Sequence, residues 1–372
     1  MRTRIWSLSS VLRGAMVLVI GGMAALNASA SPFMPPPPHS YPLSAVALSP
    51  DGSRLAVGLP GGGVWQRGEP KGRIAVWDAT EGTHLHMLEG HEEDVTVLAF
   101  SPDGEYLLSA SHDQTARLWD AAEFELADVL AGHESSIQSV AFSADGAYLV
   151  TCGADATARL WDVETGNHLI TFVPSVPGPH RRPMPVLSVA LSPEGAYVLT
   201  GDGSGGVWLW DAGTGEAIRS FEEGEGRGRW ENHPVTFLAN GDLVASRRPG
   251  SLIHIWERDT GTLVEERSGA EGGAPMWFSH GGAYGAARVG RDGEVVVTEL
   301  ETGEIVGRTG KSETGNVRGV AFSADAERIA VGTREGVVHL WDTATGDRIN
   351  VFDHHRFRED VEIDAHPRFD ER

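Results

Sequence analysis

Residues 107–120 read LLSASHDQTARLWD and set Ser111, His112 and Asp113 side by side, the three residue types of a hydrolytic relay. Such a relay forms in space between distant segments, with the base in reach of the nucleophile and an orienting group behind it. Three consecutive residues at a strand end point in alternating directions and cannot form it among themselves. The stretch has another explanation, because it recurs. Residues 149–162 read LVTCGADATARLWD, and shorter versions stand at 72–78 (GRIAVWD), 205–211 (GGVWLWD), 251–257 (SLIHIWE) and 336–342 (GVVHLWD). A degenerate copy, GEVVVTE at 293–299, has Thr298 in the tryptophan's place. The landmarks Trp77, Trp119, Trp161, Trp210, Trp256, Thr298 and Trp341 lie 42 to 49 residues apart and mark seven units.

A second signature precedes each landmark: VALSPDG at 46–52, LAFSPDG at 98–104, VAFSADG at 140–146, VALSPEG at 189–195 and VAFSADA at 320–326. TFLANGD (236–242) and MWFSHGG (276–282) are weaker copies. Each is an apolar strand running into a turn whose Asp and Gly suit tight backbone geometry. A further turn, such as DVETGN or DTATGD, follows each landmark. Three hairpin turns in about 42 residues define four antiparallel strands, a to d, and such units stack because one sheet cannot bury both its faces. The expectation is an all-β, seven-bladed β-propeller of four-stranded antiparallel blades spanning 43–352.

These tryptophans and turns, with Gly90-His91 and Gly132-His133, resemble the WD-repeat (WD40-type) β-propeller family. The resemblance implies a buried network joining the Gly-His histidine, a hydroxyl on strand b, an aspartate in the b–c turn and the strand-c tryptophan. In blade 2 that assigns His91, Ser111, Asp113 and Trp119. In blade 3 it assigns His133, Asp155 and Trp161, with Gly153 at the hydroxyl position. His112 then sits in a turn between two network members. The other blades have Lys71, Ser204, Gly250, Asp292 and Glu335 six residues before the landmark, so packing is expected to replace the network there.

The ends read differently. Arg2, Arg4 and Arg13 precede the apolar run AMVLVIGGMAAL (15–26) and the small residues Ala28-Ser29-Ala30, the pattern of a secretory signal peptide over 1–30. Twelve apolar residues are short for a spanning helix, which needs about 20, so no stable membrane span is expected after cleavage. The destination this implies is a bacterial periplasm or the cell exterior, so the chain is read as an exported bacterial member of the family. Residues 31–42 form a proline-rich leader that cannot donate a regular ladder of hydrogen bonds. DRINVF (347–352) is therefore the better source of the last outer strand, and 353–372 is a charged tail expected at the periphery.

With 52 acidic against 30 basic residues, the formal charge of −22 argues against nucleic-acid binding, which requires Lys and Arg to neutralise phosphates. Cys152, the single cysteine, can form no internal disulfide and no cysteine-rich metal site. GDGSGG (201–206) fits G-x-G-x-x-G, but a strand rather than a helix follows, so it reads as a hairpin. His84 and His86 share a strand face without a third ligand. No cofactor, metal site or catalytic pair is assigned. The resemblance implies a non-catalytic platform for protein partners; the alternative is an enzyme or small-ligand binder using the axial channel, against which the inner strands are mostly apolar or small. Length variation falls on the top-face loops, at 59–72, 174–185 and 222–233. Those of blades 4 and 5 carry Arg181, Arg182, Arg227, Arg229 and Trp230, with Arg247 and Arg248 in the adjacent b–c turn, residue types enriched at interface hot spots. A partner there is expected to present an acidic surface.

Overall fold

The computed structural model describes residues 45–59, 72–174, 184–222, 234–238, 241–248, 252–268, 277–289, 293–310, 317–334 and 336–353. Within them 28 strands form seven four-stranded antiparallel sheets, each built from four strands consecutive in the chain. The blades span 45–88, 95–131, 137–172, 186–222, 235–268, 277–308 and 317–353. Among the described residues no helix is long and apolar enough to cross a membrane.

The landmark aromatics pack against the preceding blade, Trp256 half-buried and the others buried, which is what turns seven sheets into one ring. Trp119 packs with Ala47, Ile74 and Leu88 of blade 1; Trp161 packs with Leu108, Leu118 and Leu130 of blade 2; Trp210 packs with Val150, Leu160 and Phe172 of blade 3. Burying so large an aromatic removes roughly 150–250 Å² from water, making it the main adhesive between neighbours. In blade 6 Thr298 cannot do this, and Leu300, two residues on, joins Leu238, Ala245, Ile253 and Ile255 of blade 5 instead. Blade 6 also has the shortest described inner strand, Trp277–Phe278.

The first and last blades exchange no strand. Strand d of blade 7, Arg348–Asp353, comes from the C-terminal side, within a residue of the stretch expected from sequence. The ring closes through side chains. Leu48, Leu55 and Trp77 share a core cluster with Ala330, Leu340 and Phe352. The Ala324 amide donates to the Pro50 carbonyl at 2.9 Å, and Arg328 Nη1 donates to the Gly52 carbonyl at 2.9 Å.

A second set of joints lies on the face carrying the a–b and c–d turns. The c–d turn needs one residue of positive φ, glycine in most blades and Phe124 (φ 59°) in blade 2. The strand-d side chain of the preceding blade lies against that turn. Asp128 is so close to Gly166 (φ 65°) that a Cβ there would collide with its carboxylate. The His86 ring stacks on Phe124 at 5.3 Å.

Candidate functional site

Blade 2 contains the relay that the opening stretch only imitates. His91 Nδ1 lies 2.7 Å from Asp113 Oδ2, and His91 Nε2 lies 2.8 Å from Ser109 Oγ. Trp119 Nε1 donates to the same Ser109 Oγ at 2.8 Å. Directions follow from donor inventory: Nδ1–H donates to the carboxylate, leaving Nε2 to accept the Ser109 hydroxyl proton. Asp113 also accepts the Glu92 amide at 3.1 Å, the Thr115 amide at 2.9 Å and the Thr115 hydroxyl at 2.7 Å. Burial raises this carboxyl, but the hydrogen bonds from His91 and Thr115 outweigh it and hold it well below the ordinary range.

Blade 3 repeats the arrangement. His133 Nδ1 is 2.7 Å from Asp155 Oδ2, His133 Nε2 is 2.8 Å from Thr151 Oγ1, and Trp161 Nε1 donates to Thr151 Oγ1 at 2.9 Å. Burial again raises the aspartate, and the bond and charge of His133 with the Glu134 amide and Thr157 hold it well below its usual value. The glycines before the two histidines make room for arginines of strand c. A Cβ on Gly90 (φ 149°) or Gly132 (φ 156°) would press on the Arg117 or Arg159 side chain.

The hydroxyl position differs from the sequence expectation. Ser111 is not the oxygen between histidine and tryptophan; Ser109 is, and in blade 3 Thr151 fills the place where Gly153 was expected to leave a gap. The reason is register. The indole reaches a hydroxyl ten residues upstream on the paired strand b, and Ser111 lies two residues beyond, toward the turn. There its Oγ donates to the Glu93 and Asp94 carbonyls at 3.0 Å each and accepts the Asp113 amide at 3.1 Å. His112 is an exposed turn residue. The same spacing of ten recovers two bonds that the expectation of packing alone missed. Trp210 Nε1 donates to Thr200 Oγ1 at 3.0 Å, and Trp256 Nε1 to Ser246 Oγ at 3.4 Å. Counting back from the tryptophan, rather than forward to the turn, was the signal.

Ser109–His91–Asp113 has the distances of a catalytic triad, yet the chemistry is closed to it. Ser109 is 0% exposed and its oxygen already accepts an indole N–H. A nucleophile must meet an incoming carbonyl, with oxyanion donors about 3 Å beyond. Trp119 occupies that direction. The relay locks strand b, strand c and the linker from the preceding blade together.

The remaining sequence candidates separate in space. Arg181 and Arg182 (within 175–183) and Arg227, Arg229 and Trp230 (within 223–233) lie outside the described residues. Arg247 and Arg248 do not sit in a turn as expected; they end strand b of blade 5, Leu243–Arg248. The ladder carries them there, with Arg247 paired to Ile253 and its amide donating to the Pro234 carbonyl at 3.2 Å. Gly201–Gly206 closes the b–c hairpin of blade 4, where Asp202 Oδ1 accepts the Ser204 amide at 2.8 Å and the Gly206 amide at 3.0 Å. His84 meets Trp77 edge-on at 5.2 Å while His86 stacks on Phe124, so they serve separate contacts. Burial and then the neighbouring His86 depress His84. Burial pushes the Cys152 thiol far up, leaving it inert. Among the described residues no group of three His, Cys, Asp or Glu is placed to hold a metal.

Comparison with known proteins agrees with this geometry. Residues 82–120, 124–162 and 174–211 match the family model described as WD domain, G-beta repeat. Residues 286–361 match the anaphase-promoting complex subunit 4 WD40 domain. WD repeat-containing protein 90 of Mus musculus is 38% identical over 71 residues, 19% of this chain and 4% of that protein. Nuclear distribution protein PAC1 of Arthroderma benhamiae is 38% identical over 81 residues, covering 22% of this chain and 17% of that protein. PAC1 of Tuber melanosporum is 52% identical over 44 residues, 12% and 10% of the two chains. The chain thus spans less than a fifth of each of these relatives.

Proposed function

Because the chain is a WD40-repeat β-propeller, a family of generally non-catalytic scaffolds that bind proteins, we propose that it is a rigid protein-interaction platform, exported to the periplasm or cell exterior. The observation that carries the platform reading is the sealed relay: the one triad-like constellation found in blades 2 and 3 is spent on holding the blades together. Function then falls to surface loops, where a rigid scaffold presents variable residues. The export reading is supported by the leader at 1–30, which has a basic start, an apolar run and a small-residue cleavage site. The binding site we assign is the arginine-rich set of loops in blades 4 and 5, whose guanidinium forks suit carboxylates of an acidic partner.

Envelope fractionation with N-terminal sequencing tests the export step, with Ser31 as the expected mature terminus; an intact Met1 on a cytoplasmic protein refutes it. Crosslinked capture from the envelope tests the platform. The double reversal Arg181→Glu with Arg182→Glu is expected to weaken capture at an unchanged melting temperature, and capture by the parent is expected to fall as salt rises. Capture that ignores both charge reversal and salt refutes the site.

A further inference from the structure

The joints between blades on the turn-bearing face differ in one respect. Among the described residues, an arginine bridges the two blades at four of them. Arg328 donates to the Gly52 carbonyl at 2.9 Å between blades 7 and 1. Between blades 1 and 2, Arg54 lies over the Phe124 ring at 5.5 Å and donates to the Ala121 carbonyl. Between blades 4 and 5, Arg258 lies over the Tyr197 ring at 4.6 Å, donates to the Gly241 carbonyl at 3.0 Å and pairs with Glu194 at 3.0 Å. Arg267 donates to the Leu300 carbonyl at 2.7 Å between blades 5 and 6. Each guanidinium covers a half-buried ring or satisfies a turn carbonyl that the ladder leaves free.

The joint between blades 3 and 4 has the receptor and lacks the cation. Tyr148 is the counterpart of Tyr197, the first residue of its strand b, and is 38% exposed. The counterpart of Arg258, two residues after the tryptophan, is Ala212. At the strand-d position where blade 4 carries Arg219, blade 3 carries Ile170, the residues paired with Leu209 and Leu160 respectively. What remains is a groove of about 630 Å³ with Tyr148, Leu160, Leu169 and Ile170 on one side and Glu194 and Asp211 on the other. None of the described residues lining it is basic. Leu169 is 44% exposed at its edge.

We propose that this groove binds an arginine side chain, flanked by aliphatic residues, from an extended segment of a partner protein. The guanidinium stacks on Tyr148 and points toward the acidic wall, taking the place Arg258 fills one joint further on. The flanking aliphatic residues cover Leu169 and Ile170. The choice of arginine rests on Asp211 and on the second carboxylate oxygen of Glu194, whose Oε1 already pairs with Arg258. It rests also on the one joint where an arginine covers the equivalent tyrosine, Arg258 over Tyr197. The groove takes a partner of opposite charge to the one proposed for the arginine-rich loops, so it stands or falls separately from the platform site.

The test is fluorescence anisotropy with a labelled pentapeptide, a central arginine between paired leucines, against the same peptide with citrulline, which keeps shape and loses charge. Saturable binding by the arginine peptide, at least ten-fold tighter than the citrulline form, is expected. Tyr148→Ala removes the stacking face and Ala212→Arg supplies the missing cation from within; each is expected to weaken binding at least ten-fold. Thermal melts identify any variant that fails to fold, and Tyr148→Ala, a half-exposed site, is expected to melt like the parent. The proposal is overturned by equal binding of the two peptides, by no saturation up to about 1 mM, or by undiminished binding to folded Tyr148→Ala. It is also overturned by a dimer of this chain that Ala212→Arg dissolves, since the occupant would then be a second copy.

Discussion

Ser109→Ala is the substitution that best separates the observed network from the one expected around Ser111. The Ser109 oxygen accepts the Trp119 indole N–H at 2.8 Å and its proton goes to His91 Nε2 at 2.8 Å. Alanine leaves both groups buried without a partner, and each stranded polar group costs about 1–3 kcal/mol. Allowing for partial relaxation around the site, the expected loss is about 2–5 kcal/mol. Ser111, equally 0% exposed, ends strand b. Ser111→Ala removes bonds to the Glu93 and Asp94 carbonyls and from the Asp113 amide, groups on exposed or half-buried linker and turn residues that water can reach. It should cost about 0.5–1.5 kcal/mol, the net value of an ordinary hydrogen bond. An unfolding entropy of about 2.1 cal/mol/K per residue, over the ordered propeller, translates these into drops of about 3–8 °C and about 1–2 °C in melting temperature. Calorimetry of both variants in one buffer reads the difference. Ser109→Thr, which copies Thr151 of blade 3, should keep both bonds and lose less than about 1.5 kcal/mol. If Ser111→Ala proves as costly as Ser109→Ala, the assignment of the buried hydroxyl is wrong.

Three further outcomes follow from the same geometry. His112→Ala should shift stability by less than about 0.5 kcal/mol, because the residue is an exposed turn position; a cooperative loss measured by urea unfolding would contradict this. Asp113 and Asp155 have carboxyls held below their unfolded values, so their contribution is fully present above the unfolded carboxylate pKa of about 3.9 and is lost as pH falls below it toward their folded values. Melting temperature should therefore drop more steeply below about pH 4 in the parent than in Asp113→Asn, and parallel acid limbs would count against the relay. Gly166→Ala meets both a left-handed backbone, costing about 1–2 kcal/mol alone, and the Asp128 carboxylate. Adding Asp128→Ala should recover the steric part and leave the backbone part; no recovery in the double variant would show that the joint is not as tight as described.

The blades were readable because their marks are local. A turn of the SPDG kind and a tryptophan 15 residues after its last position, in blades 2, 3, 4 and 7, fix the hairpin spacing within one unit, and local turn chemistry and alternation suffice to place strands. Blade 6 was marked as degenerate by Thr298, but not how it is repaired, since Leu300 acts through residues of blade 5 some 45 to 60 positions away. The hydroxyl of the relay was misplaced by two residues for a similar reason. Ser111 and Ser109 lie on the same face of one strand, and only the pairing of strand b with strand c decides which of them meets the indole. Arg247 and Arg248, expected in the b–c turn, belong to the strand because the ladder with Ile253 and Leu252 extends it through them.

What the repeat conceals is where the blades differ. At the strand-d position paired with the residue before the landmark, the chain has His86, Asp128, Ile170, Arg219, Glu265, Gly307 and Asn350, seven different residues. Asn350 reaches the Thr80 carbonyl at 3.3 Å and so helps to close the ring, while a Cβ on Gly307 would collide with Thr343. Comparing the copies with one another finds the positions that agree, and those are the ones that build the core. A joint's chemistry depends on the positions that disagree, paired across two blades. Tyr148 is unremarkable as one of four tyrosines that open strand b. It differs from Tyr197 in that the counterpart of Arg258, 64 positions later, is Ala212.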